Sequence, residues 1–317
     1  MRAAIITREE PVTQLRRRQL APPRRMTGQE RRRINPNRGL IKLCDRYADI
    51  FLSRFVYPFL APLWNPYSWL LERRFAVAET KLSPPCWPGG LAPLRVLLIT
   101  DIHAGIFLPP ETLWRIIHDL MTLRPDLVVI GGDLVSGHVS EATRILDGLA
   151  PLTEAKLGAW FCFGNHDYFG GDPEELRENL AAIGVRTLKN DSAVIDHHGG
   201  RFVLGGIDDR IMGQPNWDEL LAKYGPPHLL MAHNPDQFYE AEARGIPLML
   251  SGHTHGGQIR FPEGPAIIRQ SRFCLDEGVF AFRQSMVVVS RGLGSILLPL
   301  RWGADPEAVL IEITPPR

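Results

Sequence analysis

Ser251-Gly-His-Thr-His-Gly-Gly-Gln258 is the stretch from which the fold of this 317-residue chain can be worked out, because it carries two histidines one residue apart in a glycine-rich loop. The apolar run 246–250 precedes it and predicts a buried strand. Successive side chains of an extended segment point to opposite sides, but glycines that flank a turn allow both imidazoles to face one pocket. A single loop histidine is more often a surface residue than a ligand. A metal-binding role therefore requires further ligands from other parts of the chain.

Strands and helices alternate along residues 94–314, which predicts an α/β fold. Besides the strand before Ser251, apolar runs predict strands over 95–100, 126–130, 159–163, 201–207, 228–232, 286–290 and 308–313. Helical patterns cover 110–123, 139–149 and 173–183, and Asp172 is expected to cap the last of them. Open α/β sheets place their sites just outside the carboxyl ends of their strands, so side chains at those ends are expected to meet.

Side chains of types that bind metals follow several of these strands. They are Asp101, His103, Asp133, Asn165, His166, His233, His253 and His255. Carboxylate, imidazole and amide groups without a thiolate suit Mn, Fe or Zn better than Mg alone. One ion needs about three or four protein ligands, so the set is large enough for two ions that share a carboxylate. Two ions roughly 3.5–4 Å apart form a clamp for in-line attack on phosphorus.

These side chains fall in five short sequence blocks, and the order of the blocks resembles that of the calcineurin-like metallophosphoesterase superfamily. They are Asp101-Ile-His103, Gly131-Gly-Asp133, Gly164-Asn-His-Asp167, His233 and Gly252-His-Thr-His255. Each block alone is a weak signal, but all five in order on predicted strand ends are specific. The stretches Gly252–Pro262, Ser290–Gly294 and Pro306-Glu307 are similar to the YkuE/YaeI-type phosphodiesterase branch. The resemblance implies a four-layer α-β-β-α sandwich rather than a doubly wound single sheet.

The resemblance also implies two divalent metal ions and a ligand set for each. The first ion would be held by Asp101, His103 and His255, the second by Asn165, His233 and His253, and Asp133 would bridge them. The implied reaction is phosphoester hydrolysis, of the phosphodiesterase or pyrophosphatase type, with a metal-bridging hydroxide as the nucleophile. The alternative is a non-catalytic metal-binding scaffold of the same fold, against which the complete ligand set argues.

Two further residues are expected to act in catalysis. His166 would face the substrate, where it would stabilise the phosphorane oxygens or protonate the leaving group. Asp167 would orient the His166 ring through a hydrogen bond. Asp208 and Asp209 end a predicted strand, and either substrate contact or a structural role is open for them. Arg291 is open in the same way, between a phosphate contact and a salt bridge.

The N-terminal third differs in composition from the domain predicted over residues 94–317. Residues 1–38 are predicted to be a basic disordered tail; a tether to anionic lipid and a start codon placed too early are alternatives. Residues 39–93 are predicted to form an amphipathic helix over 38–57, an uncharged run over 55–71 and a linker over 79–94. Three prolines in the uncharged run disfavour a membrane-spanning helix. The aromatic Trp64, Tyr67 and Trp69 suit an interfacial segment, and an ordinary extension packed on the domain is the alternative.

Composition, net charge and cysteine content indicate the type of fold, the kind of partner and the cellular compartment. The chain is 44% hydrophobic and 22% charged, which is enough for a globular core. Residues 1–40 hold eleven arginines and three glutamates, a net charge of +8, so a total of +1 leaves −7 for the rest and no nucleic-acid partner is expected. Four scattered cysteines suit the reducing cytoplasm. We therefore expect a cytoplasmic enzyme, peripheral on the inner membrane face through residues 39–75, with a lipid-linked phosphoester such as UDP-2,3-diacylglucosamine as the substrate that the branch suggests.

Overall fold

The computed structural model describes residues 65–316 apart from 106, 262–265 and 268, together with 13–14, 17–19 and positions 51, 56 and 59. Two sheets of seven strands each are present within these residues. The strands are β1 Thr13–Gln14, β2 Arg17–Gln19, β3 Ala76–Leu82, β4 Leu94–Ile99, β5 Leu127–Ile130, β6 Ala159–Phe161, β7 Arg186–Thr187, β8 Asp191–His197, β9 Gly200–Gly206, β10 Leu229–Met231, β11 Leu248–Ser251, β12 Gly278–Phe282, β13 Ser285–Val289 and β14 Glu307–Ile313.

Helices connect many of the strands. The α-helices with described bounds are α1 Pro66–Arg74, α2 Pro110–Met121, α3 Leu146–Leu149, α4 Pro173–Ala182, α5 Trp217–Ala222 and α6 Phe238–Glu242. Short 3-10 helices cover Val139–Arg144, Ala150–Glu154, His166–Tyr168, Pro235–Gln237 and His255–Gly257. The Asp172 side chain accepts the N–H of Glu174 at 2.9 Å, which confirms the predicted cap of α4. The predicted helix over 139–149 is instead a 3-10 helix followed by the four-residue α3.

Parallel pairing brings the carboxyl ends of several strands to the same edge of each sheet. The first sheet has the order β1-β3-β14-β4-β5-β6-β7, and β14 and β4 are its only antiparallel neighbours among the described strands. The second has the order β2-β12-β13-β11-β10-β9-β8, where β12 with β13 and β8 with β9 are antiparallel. Strands β4, β5 and β6 thus end together, and so do β9, β10, β11 and β13.

Three hydrophobic clusters define four layers. One cluster lies between the sheets, with fully buried residues such as Leu98 of β4 and Leu250 of β11. A second joins α1, α2 and α4 to the first sheet, and a third joins α5 and α6 to the second sheet. Strands β4, β5 and β11 are buried at almost every position because both faces of each sheet are covered. The predicted α-β-β-α sandwich is therefore confirmed.

The predicted linker over 79–94 is wrong in its first part. Strand β3 pairs in parallel with β14 over seven residues, from Ala76 opposite Glu307 to Leu82 opposite Ile313. Its charged Glu79 and Lys81 alternate with buried Ala78 and Leu82, a short pattern that the prolines after it obscure. The fold of the domain thus begins before Leu94.

Helix α1 packs on the domain, which agrees with the packed extension given above as the alternative to an interfacial segment. It starts at Pro66 after Asn65, whose side chain accepts the N–H of Ser68 at 3.2 Å. Tyr67 and Leu71 are buried in the outer helical layer, so the expectation that Tyr67 sits in a headgroup zone is wrong, whereas Trp69 is exposed. The predicted amphipathic helix over 38–57, apart from positions 51 and 56, lies outside the described residues, as does Trp64. Every helix of the described part is too short or too polar to cross a bilayer.

Candidate metal centre

Seven predicted ligands come from loops that follow five strands of both sheets. Asp101 and His103 follow β4, Asp133 follows β5, and Asn165 follows β6. His233 follows β10, and the two histidines of the Gly-His-Thr-His stretch follow β11. All seven side chains are buried. The carboxyl ends of the two sheets therefore meet at one buried site, as the position of ligands after strand ends predicted.

The backbone at five of these ligands has an uncommon conformation. Asp101, His103, Asp133, His253 and His255 have positive φ angles between 46° and 71°. L-residues rarely adopt this region, and such strain persists only where the surroundings over-determine it, often at functional sites. The turns aim each side chain inward immediately after its strand ends.

Glycine next to Asp133 permits the close approach of two ligand loops. Gly132 has a φ of 87°, and a Cβ atom there would lie 2.6 Å from the Gly164 nitrogen and 2.9 Å from Nδ1 of His233. Such a contact would force the loops after β5, β6 and β10 apart. This is the physical reason for glycine before the aspartate.

The first predicted ligand group forms a compact triad. Asp101, His103 and His255 each offer a ligand atom within 4.8 Å of the others. The Nε2 atoms of the two histidines are 3.2 Å apart, and Nε2 of His255 is 3.4 Å from Oδ1 of Asp101. Thr100 and the N–H of His253 donate to the Asp101 carboxylate at 2.8 and 3.0 Å, which fixes its orientation.

The second group is a triad of Asp133, His233 and His253, whose ligand atoms also lie within 4.8 Å of one another. Nδ1 of His233 donates to the carbonyl of Gly131 at 2.8 Å, so its Nε2, 3.0 Å from Oδ2 of Asp133, is the nitrogen that faces the site. The same Oδ2 is 3.7 Å from Nε2 of His103 in the first triad. Asp133 thus lies between the two groups, where a bridging carboxylate is expected.

A further observation supports the binding of cations by these ligand groups. The side-chain oxygen of Asn165 is buried, and no other described group forms a hydrogen bond with it. A buried amide oxygen normally has a partner, because leaving it unpaired is costly. A metal ion beside the carboxylates would provide that partner. The assignment of individual ligands to each ion stays a prediction.

The buried carboxylates and imidazoles of the site shift one another's pKa values. Burial lowers the pKa values of His103 and His255 well below their usual range, and the nearby guanidinium of Arg301 adds to this effect. Both rings are therefore neutral and able to act as ligands. Burial also opposes a charge on His233, but Asp133 and Asp101 outweigh it and raise the pKa of His233 to about 10. Burial would raise the pKa of Asp133, yet His233 and His166 hold it well below its usual value.

His166 lies beside both triads, as the sequence predicted. Its Nδ1 donates to the carbonyl of Ser136 at 2.6 Å, and its ring packs edge-on against His103 with centroids 4.7 Å apart. One of its ring nitrogens is within 4.8 Å of a ring nitrogen of His103 and of a carboxylate oxygen of Asp133. A catalytic role for this ring stays a prediction.

Asp167 has different partners from those expected. Its two oxygens accept backbone N–H groups of Asp133 at 2.9 Å, Leu134 at 2.8 Å and Gly164 at 2.8 Å, with Val135 at 3.3 Å. The Nδ1 of His166 instead bonds the Ser136 carbonyl. The structure therefore corrects the expected hydrogen bond to the ring, because the carboxylate ties the loop after β5 to the loop after β6.

Arg301 was missed by sequence reasoning. Its guanidinium is fully buried, and Nη2 lies 3.1 Å from Nδ1 of His255. Nε donates to the carbonyl of Gly294 and Nη2 to that of Arg291, each at 2.8 Å. The available signal was a single cation within the apolar stretch 296–302. Its position holds the His255 ring from behind.

The residues left open have structural partners. Arg291, which is partly exposed, forms an ion pair with the buried Glu307, 2.6 Å from Nη2 to Oε2, which is the salt-bridge alternative rather than a phosphate contact. The Asp208 carboxylate accepts the N–H groups of Asp209 and Gln214 at 2.8 Å and the hydroxyl of Tyr168. Asp209 accepts two backbone N–H groups of the next turn. Both aspartates thus shape the loop after β9.

A cavity of about 650 Å³ opens at this loop. Tyr168, two residues after His166, lines it together with Lys189, Asp208 and Met212. The Lys189 ammonium lies 5.4 Å from the centre of the Tyr168 ring. Its volume is within the range of small-molecule sites, and Tyr168 links it along the chain to His166.

Comparisons with known proteins agree with the site. Residues 94–257 match the calcineurin-like phosphoesterase family. The chain is 32% identical to the uncharacterized protein YpbG of Bacillus subtilis and 33% identical to the phosphodiesterase YaeI of Escherichia coli, covering 72% and 70% of this chain and 83% of each relative. It is 35% identical to a transmembrane protein with a metallophosphoesterase domain from Danio rerio, over 75% of this chain and 57% of that protein. The chain therefore belongs to the calcineurin-like phosphoesterase family and is a metal-dependent phosphoester hydrolase.

Proposed function

We propose that the protein hydrolyses a phosphodiester or pyrophosphate with two divalent ions of Mn, Fe or Zn. Asp101, His103 and His255 would hold the first ion, Asn165, His233 and His253 the second, and Asp133 would be shared. The observation that carries the proposal is the convergence of two buried triads, each within 4.8 Å, on one carboxylate. When bound, the ions supply a hydroxide nucleophile and polarise the phosphoryl oxygens.

His166 is the proposed proton donor to the leaving oxygen. Because its Nδ1–H is engaged by the Ser136 carbonyl, any proton exchanged with the substrate must pass through Nε2. Its edge-on contact with His103 orients the ring toward the triads. Asp167 contributes by positioning, since it accepts N–H groups from both adjacent ligand loops. We therefore assign proton transfer to His166 and the positioning of the two ligand loops to Asp167.

A diester with one bulky alcohol is the proposed substrate class. The cavity of about 650 Å³, whose wall includes Tyr168 two residues after His166, offers room for one substituent of the phosphorus. The relative YaeI of E. coli carries the name phosphodiesterase. A lipid-linked compound such as UDP-2,3-diacylglucosamine is our more specific proposal, with peripheral contact of residues 39–75 at the inner membrane face. The exposed Trp69 and the uncharged run before it support this location.

Hydrolysis of bis-p-nitrophenyl phosphate tests the proposal. We expect turnover with added Mn²⁺, loss of turnover after chelation and recovery when metal is returned. Asp133→Asn should remove both the bound metal and the activity, because a neutral amide replaces the negatively charged carboxylate that the two ions would share. A protein that binds metal but hydrolyses neither this diester nor nucleotide-linked lipids would instead be a non-catalytic scaffold.

A further inference from the structure

An exposed apolar surface lies beside the metal centre. Its members are large side chains that are 43–67% exposed: Phe261, Ile267, Leu298, Leu300 and Trp302. Isolated exposed apolar side chains are ordinary, whereas five on neighbouring loops indicate a surface that contacts another apolar body. We call these five residues the apolar rim.

Hydrogen bonds join the two loops that carry the apolar rim. The N–H of Arg260 donates to the Trp302 carbonyl at 2.8 Å, and the N–H of Trp302 donates to the Gln258 carbonyl at 2.9 Å. The side-chain amide of Gln258 donates to the Ile296 carbonyl at 2.8 Å and accepts the Ile296 N–H at 3.0 Å. The rim is therefore one surface with a defined backbone.

A single buried residue connects the apolar rim to the candidate metal ligands. Arg301 lies between Leu300 and Trp302 in the chain, and its guanidinium is 3.1 Å from Nδ1 of His255. The two neighbours are exposed where Arg301 is buried, so they point away from the site while it points inward. A surface that covers the rim would therefore lie close to the candidate metal ligands, because Arg301 connects the rim loop to His255.

The N-terminal segment enters the described fold at the same loop. The Tyr67 hydroxyl of α1 donates to the Leu293 carbonyl, and Nε of Arg74 lies 3.1 Å from Oδ1 of Asp305. The chain reaches α1 from residues 55–64, which include Phe, Tyr and Trp but no charged residue. An uncharged aromatic stretch of ten residues therefore ends where α1 meets the loop of the rim.

The basic N-terminal segment of the sequence contributes an edge strand to the second sheet. Strand β2 pairs in parallel with β12, with Arg17 opposite Val279. Strand β12 begins at Gly278, shortly after the loop that carries Ile267. Residues 1–40, which include β2, hold eleven arginines against three glutamates. Apolar loop tips together with a basic segment match an anionic bilayer surface in both polarity and charge.

We propose that the apolar rim inserts into the surface of an anionic lipid bilayer and holds the metal centre against the headgroups. The inference rests on the proposed function, because it presents membrane phosphoesters to that site. Trp302 and Phe261 have aromatic rings that suit the headgroup level. Ile267, Leu298 and Leu300 supply aliphatic side chains for the layer below it.

Vesicle partitioning of the full chain tests this inference. The wild type, the Leu300→Glu/Trp302→Glu double variant and the control Trp114→Glu would be floated with phosphatidylglycerol–phosphatidylcholine vesicles. Trp114 is 52% exposed on α2 and stacks on His118, away from the rim. Burial of one large apolar side chain changes a binding constant by about tenfold. We expect the double variant to bind vesicles at least about tenfold more weakly, and the control to bind as the wild type does.

A second measurement follows Trp302 itself. Lipids with brominated acyl chains should quench part of the wild-type tryptophan emission, and Trp302→Phe should lose that part. Unchanged vesicle binding of the double variant, or no binding of the wild type, would overturn the inference. So would a wild-type dimer that the same double variant dissolves, because the rim would then face a second copy. Hydrolysis of soluble bis-p-nitrophenyl phosphate separates the two proposals. Turnover without vesicle binding overturns only the membrane role of the apolar rim. Vesicle binding without turnover overturns only the proposed function.

Discussion

Replacement of Asp167 by asparagine tests how the loops of the metal centre are held together. Each oxygen of the buried carboxylate accepts two backbone N–H groups: Oδ1 those of Leu134 and Val135, and Oδ2 those of Asp133 and Gly164. An asparagine has one carbonyl oxygen and one NH₂ group of nearly the same shape. Whichever way the amide lies, two buried donors lose their acceptor and face another donor.

The expected cost follows from the number of orphaned donors. A buried donor without a partner costs about 1–3 kcal/mol, so two of them should lower the free energy of unfolding by about 4 kcal/mol. That is a large part of a typical total of about 5–15 kcal/mol. Because the lost bonds hold the loops of Asp133 and Asn165, metal affinity should fall together with stability.

Urea unfolding and metal analysis measure both effects. The matched control is Asp126→Asn, because the Asp126 carboxylate accepts the N–H of Arg95 at 3.0 Å at the opposite edge of the sheet. One amide oxygen can keep that bond, and the ion pair that is lost joins Asp126 to the exposed Lys156 ammonium 3.6 Å away, which contributes little. We therefore expect a loss below about 1 kcal/mol and normal metal content. Wild-type stability of Asp167→Asn would refute the hydrogen-bond reasoning. An Asp167→Asn protein that stays inactive with both sites loaded would show that Asp167 takes part in the chemistry.

Further changes separate positioning from catalysis. His166→Ala should lower turnover by about 10²–10⁴-fold with metal content unchanged, and metal loss would make it a ligand instead. Arg301→Lys should weaken metal binding by about 10–100-fold in equilibrium titrations, whereas unchanged binding would make its contact with His255 incidental. Gly132→Ala should reduce stability and metal content more than Gly158→Ala, because both have positive φ but only the first Cβ meets other atoms. Chelation should lower the melting temperature of the wild type but not that of Asp133→Asn. The stability that the wild type loses is about 4 kcal/mol if free metal was present at a thousandfold excess over its Kd.

The strands that carry ligands were predictable because local sequence determines them. Apart from Arg95 in β4 and Ser251 at the end of β11, strands β4, β5 and β11 are apolar, and a ligand follows each within three residues. Burial on both faces of the sheets requires such apolar runs. The four layers followed from the resemblance that these ligands carry. The position of the ligands at strand ends was thus accessible without coordinates.

Long-range contacts explain what the sequence did not reveal. Strand β3 has an ordinary mixed sequence, and only its pairing with β14 more than two hundred residues away identifies it as a strand. The partners of Asp167 are backbone groups, which no side-chain pattern indicates. Arg301 contacts His255 across 46 residues of chain and lies in no recognisable motif. In each case the decisive contact joins segments whose local patterns are independent of each other.

The same contacts show why this site can be both strained and stable. Five ligands have left-handed backbone, and the two carboxylates of Asp101 and Asp133 are almost completely buried. Strained turns cost on the order of 1–3 kcal/mol each. The Asp167 bonds, the Arg301 contact and the glycines that allow close loop packing stabilise this arrangement from outside the ligand set. Substitutions in these supporting groups should therefore act through metal affinity and loop stability, whereas substitution of His166 should act through turnover alone.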